Sequence, residues 1–415
     1  MSFPRMLRVR QTAQGTAIND VASVVREKIS KLGLGKRVKP GQTIAITAGS
    51  RGITDINLIT RAVVDECKSL GLAPFIVPAM GSHGGATADG QRQILETYGI
   101  TEGAMGCPIR SSMEVVCIGN VKEIPVFCDR NAWEADHIAV VGRVKAHTDF
   151  EGEIESGLFK MMAIGLGKQE GAQHYHRAGM DYGYAEIFPT VGRKVLETAR
   201  VLFGLAIVEN ACQETSRVES VLPADFWETE KSLLIQSNNL AAHLPFDNLD
   251  LLIVDEIGKE ISGTGMDPSV IGRPLAQRIP VKPKIRWVFV RDMSVQSDGN
   301  ALGLGMADFT TKRLVDRIDY PRTLVNAITA ANPNGARVPL TLANDKEVIE
   351  VALGMIGLTP PDRARLIRIK NTLQLTEIEV SESLLDEVNI NHRLSRITEL
   401  YPMTFDDGGN LLPMQ

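Results

Sequence analysis

Seven histidines occur in the 415 residues, and two of them occupy matching places: His83 in IVPAMGSHGG and His147 in AVVGRVKAHTDF. Each follows an apolar run that reads as a buried strand and stands beside small residues that leave room for a ligand. An imidazole titrates near neutral pH, so two of them can remove a proton from a bound molecule and return it. Ser50 and Arg51 follow a third such run, TIAIT, in a glycine-flanked turn whose backbone can approach an anion. The guanidinium there can grip a carboxylate through two parallel hydrogen bonds. A lone arginine or histidine in a loop is more often an ordinary surface group. The recurrence of the pattern after three successive strands is what argues for chemistry.

The densest segment is EGEIESGLFKMMAIGLGKQEGAQHYH, where five glycines between 152 and 171 predict a poor regular helix. Its apolar content predicts burial around Lys160. Two readings of that lysine stand side by side. A buried amine tends to be neutral, paired or covalently modified, whereas a stem can also pack while its ammonium reaches solvent. His174 and His176 form an HxH pair, which shares a face in a strand and splays apart in a helix. Zinc normally takes three or four protein ligands, which here would come from His83, His147, Asp149, Glu153 or Glu155. His137, His243 and His392 have no comparable context.

The elements that must position these groups form an alternation of short apolar runs and amphipathic stretches, the pattern of a parallel sheet covered by helices. Strands are expected at 43–47, across APFIVPAMG, across ADHIAVVGRV and across LFGLAIVEN. Helices are expected at 55–71 with Thr54 as N-cap, after Thr87, and around VGRKVLETARVL. In such a sheet the loops leaving the carboxyl ends of the strands converge on one crevice, so Ser50, Arg51, His83 and His147 should share a rim. A long helical stretch ends near 243–248, where LDLLIVDEIG opens a second α/β series: WVFVRD and RARLIRIKNT as strands, TTKRLVDRID and DKEVIEVALGMIG as helices. The reading is therefore α/β in two domains. Residues 1–245 would form a Rossmann-like, mostly parallel sheet with helices on both faces that binds cofactor, and 246–415 a smaller α/β domain, with the active site in the crevice between them.

Composition narrows the function classes. Apolar residues make up 44% and charged residues 23%, close to a folded globular average, and the formal net charge is -5. No basic stripe with interleaved aromatics is present, so nucleic acid is not an expected partner. The five cysteines are scattered, form no CxxC pair and read as reduced core residues of a cytoplasmic protein. No apolar run approaches the ~20 residues that span a bilayer, and no membrane association is expected.

Taken in order, these motifs resemble the nickel-pincer-nucleotide-dependent lactate racemases and their 2-hydroxyacid racemase and epimerase relatives. That family has a Thr-Arg turn after an early strand, a GTH motif, a later catalytic histidine, and a G-G-x-K segment leading to a metal-binding histidine. Here they read SRG at Ser50 to Gly52, GSH at Gly81 to His83, KAH at Lys145 to His147, SGLFKMMAIGLG at Ser156 to Gly167, and His176, which lies 176 − 160 = 16 positions after Lys160.

The resemblance implies that Lys160 carries a nickel-pincer nucleotide, a pyridinium mononucleotide with two sulfur-bearing arms, through a thioamide bond. His176 would complete a square-planar nickel site, His83 and His147 would be the two acid–base groups, and Arg51 would hold the substrate carboxylate. Ser50 and Gly157 are assigned to the cofactor. The family's Tyr-Gln-x-x-Lys segment is replaced by SGTGMDPSVIGR, where Arg273 is the candidate substitute for substrate binding, and its aspartate before the Thr-Arg turn is Ala48 here. The loop from His147 to Lys160 is longer and adds Asp149, Glu151, Glu153 and Glu155, which implies a 2-hydroxyacid larger or more polar than lactate.

The expected partners are that small molecule, the cofactor-assembling enzymes and, at most, a second copy of the chain. Two other readings belong to different classes. One is a zinc-dependent hydrolase or lyase using His174 and His176; the other is a non-catalytic member that binds a nucleotide or metabolite.

Overall fold

A computed structural model describes residues 2–12, 14–50, 52–329 and 332–414. The chain divides into two compact units, one of residues 14–241 and one of 1–13 together with 242–415. The first strand, Met6–Gln11 (β1), is thus not part of the unit that follows it in sequence, as a division at 245 supposes. Its Met6, Leu7 and Val9 are buried, and the strand pairs antiparallel with Glu377–Ser381. Pairing over so long a separation leaves no local trace in a sequence.

The 14–241 unit holds Thr43–Ala48 (β2), Ala73–Pro78 (β3), Val115–Val121 (β4), Ile124–Asp129 (β5), His137–Arg143 (β6), Val201–Glu209 (β7) and Thr215–Val221 (β8). Five of them form one sheet in the order β3-β2-β6-β7-β8, parallel except for β8, and β4 and β5 form a separate hairpin. The central strands are buried on both faces, which is why they read as unbroken apolar runs. Ile44, Ile46, Ile76, Val141 and Ile207 pack with the helices Val21–Ser30 and Ile56–Ser69. Ala45, Phe75, Val77, Val140 and Val208 pack with Tyr184–Thr198 and Phe226–Leu240. The chain reverses direction across the sheet at β2, whose neighbours are β3 and β6, so the loops after these three strands emerge side by side.

The second unit carries Asn248–Ile257 (β9), Lys284–Met293 (β10), Phe309–Thr311 (β11), Leu340–Leu342 (β12), Leu366–Ile369 (β13), Glu377–Ser381 (β14) and Leu394–Arg396 (β15). Its eight strands run β12-β11-β10-β9-β13-β14-β1-β15. The first five are parallel, and β14, β1 and β15 join antiparallel. The fold is α/β in both units.

Several local expectations need correction. Thr87 does cap its helix, accepting the Gly90 amide at 3.1 Å. Thr54 does not: the N-cap position falls on Asp55, and Thr54 instead binds Glu209 at the end of β7 and Gln213 just after it. TTKRLVDRID supplies strand β11 and a single helical turn, Lys312–Val315. Cys67, Cys107 and Cys128 are buried, but Cys117 and Cys212 are exposed, and all five are free thiols. The glycine-rich segment is helical from Leu158 on but irregular, as a turn at Leu158–Lys160, a π-helical stretch at Met161–Gly165 and a helix at Leu166–Tyr182 that is broken at Lys168. Its glycines are used for close approach rather than for looping: a Cβ at Gly165 would lie 2.8 Å from the Ala79 carbonyl.

Candidate active site

The Lys160 segment is the floor on which the three post-strand loops rest. A Cβ built on Gly142, at the end of β6, would meet Met161 Cγ at 2.8 Å, and one on Gly49, just past β2, would meet Met161 Cε at 3.5 Å. After β3, Gly81 approaches Ile164 so closely that a Cβ would lie 2.9 Å from its Cγ2, and its φ of +59° is one that glycine adopts without penalty. Large residues at 142 or 81 would push the loops off the helix that bears the lysine.

On this floor Ser50 Oγ lies 2.5 Å from His83 Nδ1, joining the first two loops. Tyr98 anchors the Ser50 turn by donating to the Ser50 carbonyl at 2.8 Å, and Arg143 donates to Gly52 at 3.2 Å while pairing with Glu209. Arg51 lies outside the described residues. His83 is exposed, whereas His147 is only 7% exposed.

His147 is held from several sides. Its amide donates to Glu155 Oε2 at 2.6 Å, its ring stacks on Phe150 at 4.5 Å, and its Nδ1 accepts the Asp149 amide at 3.1 Å. Its Nε2 lies 2.5 Å from the Lys160 amine, close enough for a proton to be shared between imidazole and amine.

His176 completes the cluster. Its ring meets Phe188 edge-on at 5.5 Å, and the same Phe188 lies 6.3 Å from the His147 ring. Burial pushes the His176 imidazole down to about 4, with the positive charge of Lys160 adding to the effect. The ring is therefore neutral at pH 7 and can offer a lone pair to a metal. His174 shares the helix but points elsewhere, as an i, i+2 relation requires, and packs against Phe127 at 5.3 Å. Among the described residues no group of three or more His, Cys, Asp or Glu side chains is arranged to hold a metal ion. A zinc site built on the HxH pair is not what the helix presents.

Two other expectations fare differently from the histidines. The space beside Gly157 is filled by protein: a Cβ there would lie 2.4 Å from Glu230 Oε1, so the glycine makes room for a carboxyl group. Arg273 is in the 242–415 unit and binds its own framework, donating to the Ile285 carbonyl at 2.9 Å and the Arg286 carbonyl at 3.1 Å and pairing with Asp308. Its partners lie at the start of β10 and before β11, the ends opposite those from which the carboxyl-side loops leave.

Sequence reading missed Glu230, Lys168 and Phe188. Glu230 is fully buried, and its Oε2 accepts the amides of Leu158 at 2.7 Å and Phe159 at 3.1 Å, capping the turn that carries Lys160. Burial raises its carboxyl to about 8, against the opposing pull of those two amides. Glu155 reads in the sequence as a possible zinc ligand and one of several acids in a long loop, not as the group that holds the His147 amide. A glutamate spaced amid Ile and Leu, as Glu230 is in FWETEKSLLIQ, offered a faint signal at most.

No protein-family model matches the chain, and no curated protein matches it by sequence. Among solved structures it is similar to the lactate racemase apoprotein from Thermoanaerobacterium thermosaccharolyticum, with a TM-score of 0.53 and 11% sequence identity over 89% of this chain and 99% of that one. At that identity the likeness concerns the fold. No helix among the described residues is long and apolar enough to cross a membrane.

Proposed function

We propose that this chain is a 2-hydroxyacid racemase or epimerase that works with a nickel-pincer nucleotide attached to Lys160. The observation that carries the reading is the contact of the Lys160 amine with His147 Nε2 at 2.5 Å, on a helix that also brings His176 to the same aromatic wall. The similarity of fold to a lactate racemase apoprotein supports it.

The residues fit such a group because it asks little of the protein. Its metal is held mostly by its own atoms, so one neutral imidazole and one amine suffice, and His176 and Lys160 are those two. When bound, the group supplies a carbon that accepts a hydride from the substrate and gives it back. The chain's own task is to move protons and to hold the substrate. Inverting a secondary alcohol requires its hydroxyl proton to leave and return from either of two orientations. His83 and His147 stand on separate loops, each with an imidazole suited to that exchange. Ser50, hydrogen-bonded to His83 Nδ1, fixes that ring's orientation. Arg51 would take the carboxylate. Phe150, Phe188 and Tyr184 exclude water from the His147 and His176 side.

The long loop holds His147 in place through Glu155. The same loop adds Asp149, 3.9 Å from His147 Nδ1, and Glu151, and a 2-hydroxyacid with additional hydroxyl groups, such as a sugar acid, suits an acid-rich loop better than lactate does. The test is intact mass of the protein made in cells that also make the cofactor-assembling enzymes, followed by enantiomer analysis over a panel of 2-hydroxyacids. An adduct on the Lys160 peptide, absent from Lys160→Arg, together with inversion of at least one acid, is the expected result. Unmodified protein from cofactor-producing cells would sink the reading.

A further inference from the structure

Eight residues after Lys160 the same helical segment carries a second lysine that the reaction does not use. Lys168 is 0% exposed and adopts φ +54°, ψ −157°, a backbone conformation foreign to residues with a side chain. A conformation of that kind persists only where the surroundings over-determine it, and here they do. The Lys168 ammonium donates to the Pro78 carbonyl at the end of β3 at 2.5 Å and to Gln91 Oε1 at 3.2 Å, and it lies 3.1 Å from Asp129 Oδ2 at the end of β5. Gln91, also 0% exposed, then donates to the carbonyls of Gly81 at 2.9 Å and His83 at 3.3 Å.

Desolvation pushes the Lys168 ammonium down and the Asp129 carboxyl up, and each group's charge opposes the other's shift. A buried pair of this sort is costly to form and adds little net stability. Its geometry shows what it does instead. The chain from Lys168 through Gln91 to the backbone of residues 81–83 is a continuous strut between the helix that bears Lys160 and the loop that bears His83.

We infer that Lys168, acting through Gln91, is a positioning residue that holds the His83 loop at a set distance from the Lys160 helix. The catalytic meaning of that distance rests on the racemase reading, whereas the strut itself can be tested without turnover. The experiment is amide hydrogen exchange on the full chain for three variants. Gln91→Met cuts the strut at the loop and leaves the ion pair whole. Lys168→Met cuts it at the helix but leaves Asp129 buried alone, and Lys168→Met/Asp129→Asn removes both charges so that folding is not compromised by an orphan carboxylate.

Gln91→Met and the double variant should exchange the amides of the 80–87 loop about tenfold faster or more, while amides of β2 and β7 keep the parent rates. Exchange of the loop within about twofold of the parent in Gln91→Met would overturn the proposal, whatever the enzyme's activity proves to be. In active preparations the same variants should lower kcat while KM moves less than twofold. Parent kcat alongside a loosened loop would equally reject the positioning role and leave the racemase assignment standing.

Discussion

The two sheets of this protein are built from the same alphabet and treat their charges in opposite ways. Across β10, β9, β13 and β14 of the 242–415 unit, charged side chains neutralise one another: Arg291 binds Asp255 at 2.7 Å and Asp345 at 2.6 Å, and Arg368 binds Asp255 at 2.8 Å and Glu379 at 3.2 Å. Tyr401 adds a hydrogen bond to Glu379 at 2.6 Å. On the carboxyl-end loops of the 14–241 sheet, beside the Arg143–Glu209 ion pair, contacts also join groups that can exchange protons, a serine with an imidazole and an imidazole with an amine. Paired opposite charges are held in one state and serve architecture. Imidazoles and amines held against each other stay able to change state, which is what a proton-moving site requires.

The contrast can be broken at either sheet, and the largest effect is expected where chemistry is proposed. His147→Gln and His83→Gln should each lower the inversion rate by about 10²–10⁴-fold, the usual worth of a positioned acid–base group, with melting temperatures close to the parent. Steady-state rates in both directions, beside a thermal melt, check this. Equal activity in His83→Gln would remove that residue from the reaction.

In the other sheet the ranking should invert. Arg368→Met removes the guanidinium that pairs with buried Glu379, leaving Asp255 to Arg291, and should cost about 3–5 kcal/mol of stability, with turnover per folded molecule unchanged. Denaturant titration read alongside single-concentration kinetics separates the two quantities. A loss of turnover without a loss of stability would mean that the network serves the reaction after all.

Glu230 sharpens the comparison because it is a lone buried acid on the reactive side. Its carboxyl titrates at about 8 in the folded protein and at 4.5 as its ordinary value, so the folded state holds a proton that the unfolded chain releases. Its contribution to stability is fully present below pH 4.5 and is lost as the pH rises to about 8. Glu230→Gln cannot ionise and should gain on the parent across that window, by ~1–3 kcal/mol at its upper end. Unfolding titrations at pH 5 and pH 8 measure the change; an identical slope for both proteins would show that the carboxyl is ionised throughout. The smallest effect is expected for Arg273→Ala, about 1 kcal/mol of stability with KM unchanged, since its hydrogen bonds are all to its own unit. A large rise in KM would restore it as a substrate ligand.

Much of this arrangement was legible along the chain. TIAIT, APFIVP and HIAVVG are buried on both faces, so their apolar runs announce strands, and His83, His147 and Ser50 follow them at loop spacing. Thr87 stands before a helix with the side chain that capping demands. By contrast, nothing near residue 160 announces Glu230, some 70 positions later, which caps the turn carrying Lys160 at 2.7 Å. The glycines of the 152–171 segment predict a poor regular helix, and the segment is irregular, π-helical at Met161–Gly165 and broken at Lys168; what local rules could not supply are the tertiary contacts that only a missing side chain allows, such as Gly165 against Ala79.

Sequence by itself determined the residue types available for chemistry and their order on successive strand ends, because strand periodicity and burial act over a few residues. Tertiary structure alone decided which of those residues meet. It put the Lys160 amine on His147, turned His174 away from His176, seated Glu230 at Gly157 and placed β1 in the unit formed by residues 242–415. The physical reason is that hydrogen bonds and packing between distant segments depend on where the folded sheet brings the chain, and neighbouring residues carry no record of that.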